Sequence, residues 1–241
     1  FRFIVGKYGS GKSFLLQTIR NYATEKGFVV VDCDLSPERR FVGTKGQGLA
    51  TYKELIKNMS TKTKPDGGAL PLILERWISG IRSRVMLESG SREETGEFTE
   101  QVEKEIFKVI NSLEGMVNGF EFAKAVMLYY RAYNQSDDRM KSNIIRWFRG
   151  EYHTKTEAKN ELGINFIVGD DNWYDFLKIF ALFVVHAGYK GMLIIVDELV
   201  NIFKIAHTIT RQNNYEKILT MYNDVLQGKA RHIGFLIGGT P

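Results

Sequence analysis

A chain of 241 residues, 44% apolar and 25% charged, has an ordinary globular composition and is long enough for one large domain or a core with a substantial insertion. Cys33 is the sole cysteine, which excludes an internal disulfide and a cysteine-based metal cluster. No apolar run is long enough to cross a bilayer and no charged leader precedes one, so a soluble cytoplasmic protein with no membrane contact is expected; the net charge of +5 is mildly basic.

Residues 1–5 (FRFIV) read as a buried strand and residues 14–25 (FLLQTIRNYATE) as a helix. The stretch between them, GKYGSGKS, fits the pattern G-x-x-x-x-G-K-[ST] at every fixed position, in the strand, loop, helix order that a phosphate-binding loop requires. Glycines there let backbone amides turn inward around a phosphate, and the opening helix adds its N-terminal dipole to the same anion. The expected nucleotide-contacting set is Gly6, Lys7, Tyr8, Gly9, Ser10, Gly11, Lys12, Ser13 and Phe14. Lys12 is expected to reach the β and γ phosphates of ATP, and Ser13 to give a hydroxyl to Mg2+, which keeps several waters and takes few protein ligands. Because Phe1 already belongs to a strand, the sequence reads as a fragment of a longer chain.

Residues 28–33 (FVVVDC) read as a second buried strand. Residues 38–68 contain glycines at 43, 46, 48, 67 and 68 and read as a loop-rich surface with one short helix over 52–59. Across residues 37–64, Arg39, Arg40, Lys45, Lys53, Lys57, Lys62 and Lys64 face only Glu38 and Glu54; the patch suits either DNA phosphates or a solvated loop. Helical patterning follows over 70–87, then a polar break over 89–96. Phe98, Val102, Ile106, Val109, Ile110 and Leu113 share one helical face, and further helices are predicted over 120–133, 137–148, 156–162 and 173–186. Residues 192–196 (MLIIV) form a third strand, two helices over 199–208 and 215–227 are split by a polar stretch over 210–214, and residues 233–237 form a fourth strand.

Strands alternating with helices predict an α/β fold with a parallel sheet flanked by helices, and the glycine-rich loop makes it that of a P-loop NTPase. The interval from Lys12 to Asp197 exceeds what two βαβ units need, roughly 60 to 80 residues, by about a hundred. Residues 1–37 and 191–241 are therefore read as two halves of the core, and 38–190 as a mostly helical insertion packed on it.

Asp197 and Glu198 end an apolar strand at the carboxyl edge of such a sheet, where the loop also lies. Asp197 is expected to hold Mg2+ through its water shell and Glu198 to polarise the attacking water. Thr240, at the end of the fourth strand, stands where AAA+-type ATPases keep a polar residue that senses the γ phosphate; a plain G-G-T-P turn is the other reading. His153, His186, His207 and His232 share no metal-ligand spacing.

The run from Asp197 onward resembles the ATP-binding proteins of bacterial BREX-type phage-defence loci. Their pattern has an acidic pair, a V-N-L-Y-K-like run (here Val200, Asn201, Ile202, Phe203, Lys204), an N-Y-E-K segment at Asn214, Tyr215, Glu216 and Lys217, N-D-x-L-Q-G from Asn223 to Gly228, and then Gly238, Gly239, Thr240 and Pro241. Phe203 departs from the usual tyrosine. The resemblance extends to the loop at Gly6 and to the W-x-x-G turn from Trp147 to Gly150, and so spans most of the chain. It implies an AAA+-like ATPase within a multi-protein defence system, often encoded beside a helicase-like partner; a homo-oligomer is expected. Asn201 and Arg211 are read either as nucleotide or partner contacts or as helix-surface packing. A nucleotide-gated scaffold that hydrolyses ATP only with a partner is the second functional reading. A small-molecule kinase is disfavoured by Glu198 beside Asp197, an ABC-type ATPase by the absence of L-S-G-G-Q, and GTP by the absence of N-K-x-D.

Overall fold

The computed structural model describes residues 1–90 and 96–240. In chain order the elements are β1 (Arg2–Val5), α1 (Lys12–Glu25), β2 (Val29–Asp34), α2 (Gln47–Lys57), α3 (Leu70–Ser89), α4 (Gly96–Glu114), α5 (Gly119–Asn134), α6 (Asp138–Phe148), α7 (Lys155–Leu162), α8 (Trp173–His186), β3 (Met192–Asp197), α9 (Val200–Phe203), α10 (Thr208–Leu226) and β4 (Ile233–Gly239). Among the described residues the strands form one small parallel sheet in the order β1-β4-β3-β2, flanked by helices, an α/β arrangement compatible with a P-loop fold. Helices α2 to α8 all fall between β2 and β3 in the chain. Most of the polar break expected over 89–96, and Pro241 of the G-G-T-P run, lie outside the described residues.

Successive side chains in a strand point to opposite faces. Val30, Ile195 and Leu236 therefore pack with Leu16 and Ala23 of α1, while Val29, Val31, Ile194, Val196 and Ile237 face a much larger core built with the helices. Strands buried on both faces read as continuous apolar runs, as the central β3 and β4 do and as β2 does at an edge covered by the bridge between Val30 and Ser60.

Three expectations need correction. The first strand is not buried: β1 is an edge strand, with Phe3 half exposed and Val5 62% exposed. Residues 38–68 are loop-rich around the one helix α2, as expected, but are not a surface, because Phe41, Tyr52, Leu55, Ile56 and Met59 are buried in the core. The polar residues 210–214 do not split two helices. His207 caps α10, its Nδ1 accepting from the Thr210 amide at 3.3 Å, and the helix runs unbroken past a fully buried Asn214. That asparagine is completely engaged. Its Oδ1 accepts from the Phe41 and Val42 amides at 3.0 Å each, and its Nδ2 donates to the Val42 and Thr210 carbonyls at 2.8 Å each. A residue chosen in sequence as a motif position is thus a strut between α10 and the chain after β2.

Candidate functional site

Parallel pairing brings the carboxyl ends of β1, β4, β3 and β2 to one edge: Val5 pairs with Gly239, Val196 with Ile237, and Asp34 with Asp197. The loop leaves β1 on this edge, held where the Gly6 amide donates to the Gly239 carbonyl at 3.2 Å. Gly9 and Gly11 have φ of 77° and 85°, the left-handed region that a side chain disfavours, so the loop's curl into α1 depends on glycine there. The Lys12 ammonium donates to the Lys7 carbonyl at 3.0 Å, across the mouth of the loop. Tyr8 and Phe14 are exposed beside it, at 97% and 79%.

Ser13 and Asp197, 184 residues apart in sequence, meet here: the Ser13 hydroxyl donates to Asp197 Oδ2 at 3.0 Å. The other carboxylate oxygen, Oδ1, accepts from the Glu198 amide at 2.8 Å, so the acid at the end of β3 has a fixed orientation. Gly238 on the neighbouring strand makes room for it, since a Cβ there would stand 2.4 Å from Asp197 Oδ1. Glu198 has a φ of 61°, and the Leu199 amide donates to the Gly238 carbonyl at 3.0 Å. A strained non-glycine residue directly after the strand turns the chain sharply and leaves the Glu198 side chain at the cleft.

That cleft is open, with a volume of about 790 Å³, and is lined by Lys7, Tyr8, Gly9, Gly11, Lys12, Ser13, Phe14, Glu198, Val200, Lys204 and Thr240. The structure therefore brings Thr240 and both acids of the strand end to the phosphate-loop residues. The contiguous hydroxyl and carboxylate oxygens of Ser13 and Asp197 are hard donors of the kind a magnesium ion takes, with waters completing the shell. Sequence reasoning passed over Asp34, which ends β2 level with Asp197; burial, and next the Asp197 carboxylate, hold its carboxyl above the usual carboxylate range. Its signal was the same as that of Asp197, an acid closing an apolar run.

Other motif positions serve packing. Asn201 Nδ2 donates to the Leu35 carbonyl at 2.8 Å and Arg211 Nη1 to the Ile205 carbonyl at 2.8 Å. Trp147 Nε1 donates to the Phe166 carbonyl at 2.7 Å, and Lys217 lies over the rings of Trp173 and Tyr174. In the basic stretch, Lys62 pairs with Glu25 at 2.7 Å, Lys57 with Glu54 at 3.9 Å, and Arg39 Nε donates to the Asp34 carbonyl. Among the described residues no cluster of three or more His, Cys, Asp or Glu side chains could hold a metal ion, and no helix is long and apolar enough to cross a membrane.

A parallel α/β sheet with a glycine-rich loop running from an edge strand into a helix, and an acid pair two strands away, is compatible with the P-loop class of proteins. The chain belongs to the family described as BREX system ATP-binding protein BrxC/D, whose family model matches residues 1–241, its whole length. The resemblance read from the sequence is thereby borne out. No curated protein and no solved structure matches the chain.

Proposed function

We propose that the protein binds and hydrolyses ATP as an AAA+-like switch or motor component of a bacterial phage-defence system, and is thus a Mg2+-dependent phosphoanhydride hydrolase. The observation that carries this reading is the 3.0 Å bond between Ser13 and Asp197, at a cleft that Lys12, Glu198 and Thr240 also line. In it, the loop amides from Gly6 to Ser13 and the start of α1 hold the phosphates, and Lys12 leaves the Lys7 carbonyl for the β and γ phosphates. Ser13 and Asp197 would hold the magnesium ion, which would supply charge neutralisation at the phosphates. Glu198 orients a water and accepts its proton. The water oxygen bonds to the γ phosphorus as the bond to the β–γ bridging oxygen breaks, and ADP departs with that electron pair. Thr240 reports whether the γ phosphate is present.

The AAA+-like reading is supported by the strand order, in which β4 separates the loop strand from the acid strand and carries Thr240 to a position between them. Residues 38–190 are an insertion packed on a core formed by 1–37 and 191–241, a division supported by one apolar cluster that runs from β2 and β3 into α3, α5 and α8. ATP-linked closure of a homo-oligomer interface, and contact with DNA or a helicase-like protein of the same system, complete the proposal. A nucleotide-gated scaffold is the second reading, favoured by one observation: among the described residues no arginine lines the cleft, so a partner would supply that charge.

Steady-state ATP turnover, alone and with duplex DNA or a candidate partner, tests both readings. Turnover lost in Lys12→Ala and in Glu198→Gln, with Glu198→Gln still binding ATP, is the expected result. Tight ATP binding without turnover under any condition replaces the hydrolase with the scaffold.

A further inference from the structure

Leu199 alone separates helix α9 from Glu198, and Val200 at its start and Lys204 just past its end line the cleft. Its backbone is tied to the ends of two strands: the Leu199 amide to the Gly238 carbonyl of β4, and the Asn201 side chain to the Leu35 carbonyl just past β2. Ile202 and Ile205 are buried beneath it. The main chain under Lys204 is thus fixed, while its side chain is exposed. Among the described residues no carboxylate pairs with its ammonium. Lys7 and Lys12 reach the cleft from the loop, whereas Lys204 reaches it from the segment that follows Glu198 at the end of β3; Glu198 and Thr240 line the same cleft. A reacting terminal phosphate spreads charge over its three equatorial oxygens and needs a cation on that side. A lysine, with a compact charge on a flexible four-carbon stem, suits that task.

We propose that Lys204 is a third cation of the site, which contacts the terminal phosphate of a bound nucleoside triphosphate and so distinguishes it from the diphosphate. This inference rests on the nucleotide-binding reading above. Release of the terminal phosphate removes the group that Lys204 contacts, and α9 is tied through Asn201 to the segment after β2.

The test is equilibrium binding of Mg2+ with ADP, and of Mg2+ with a non-hydrolysable ATP analogue, to wild type, Lys204→Gln and Lys204→Arg, with thermal midpoints recorded for each. A charge-assisted contact to the terminal phosphate is expected to make Lys204→Gln lose about tenfold or more in affinity for the triphosphate. ADP affinity and the thermal midpoint stay unchanged, and Lys204→Arg recovers most of the discrimination. Equal affinities of wild type and Lys204→Gln for the triphosphate, or an equal loss for both nucleotides, overturn the assignment while leaving nucleotide binding intact. A wild type that binds neither nucleotide overturns the assignment together with the reading beneath it.

Discussion

The two faces of the sheet are built differently. Under α1, Leu16, Ala23, Val30, Ile195 and Leu236 make a thin layer, and the loop beside it keeps Tyr8 and Phe14 in solvent. The opposite face carries a continuous core in which Trp77, Trp147, Trp173, Phe122, Phe176 and Phe180 are almost wholly buried. On the proposed function, the strand ends beside α1 offer backbone amides and carboxylates to a ligand and cannot also be sealed by packing, because those groups would then be satisfied internally or left buried without partners. Stability therefore resides on the helical side, and the site is held by a few directed hydrogen bonds at the strand ends.

Phe122→Ala breaks the comparison most strongly. The ring lies 4.9 Å from Phe148, 4.8 Å from Phe180, 6.1 Å from Phe176 and 6.0 Å from Phe183. Its loss should destabilise the protein by about 3 to 5 kcal/mol in denaturant unfolding, with nucleotide affinity of the folded fraction unchanged. Asn214→Ala comes next, since it strips two backbone amides and two carbonyls of their partners where α10 meets the chain after β2. A loss of about 2 to 4 kcal/mol is expected by the same measurement. The smallest effect on stability, about 1 to 3 kcal/mol, belongs to Gly238→Ala. Its new methyl displaces Asp197, so Mg2+-dependent ATP affinity should fall far more than the unfolding midpoint does. If Gly238→Ala instead unfolds the protein as readily as Phe122→Ala, the division between a stabilising face and a functional face is wrong.

The loop and the acid pair were legible because each is a local pattern, eight residues of fixed spacing in one case and carboxylates closing an apolar run in the other. What the sequence hid is set by distant partners. The burial of Phe41 and the continuity of α10 both depend on Asn214, a polar residue satisfied by a segment 172 and 173 positions away. β1 is exposed at one sheet edge whereas β2 is buried at the other, where Ser60 bridges to Val30, a difference that neither apolar run announces. The role of Gly238 was only half visible, as one of two glycines before Thr240. That its missing Cβ seats the Asp197 carboxylate follows from strand order, not from composition.

The most direct measurement is ATP affinity with and without Mg2+ for wild type, Ser13→Ala and Asp197→Asn. If the two residues form one magnesium site across the 184 positions that separate them, Mg2+ tightens ATP binding in wild type and the gain shrinks in both variants. An undiminished magnesium effect in either variant would contradict the account.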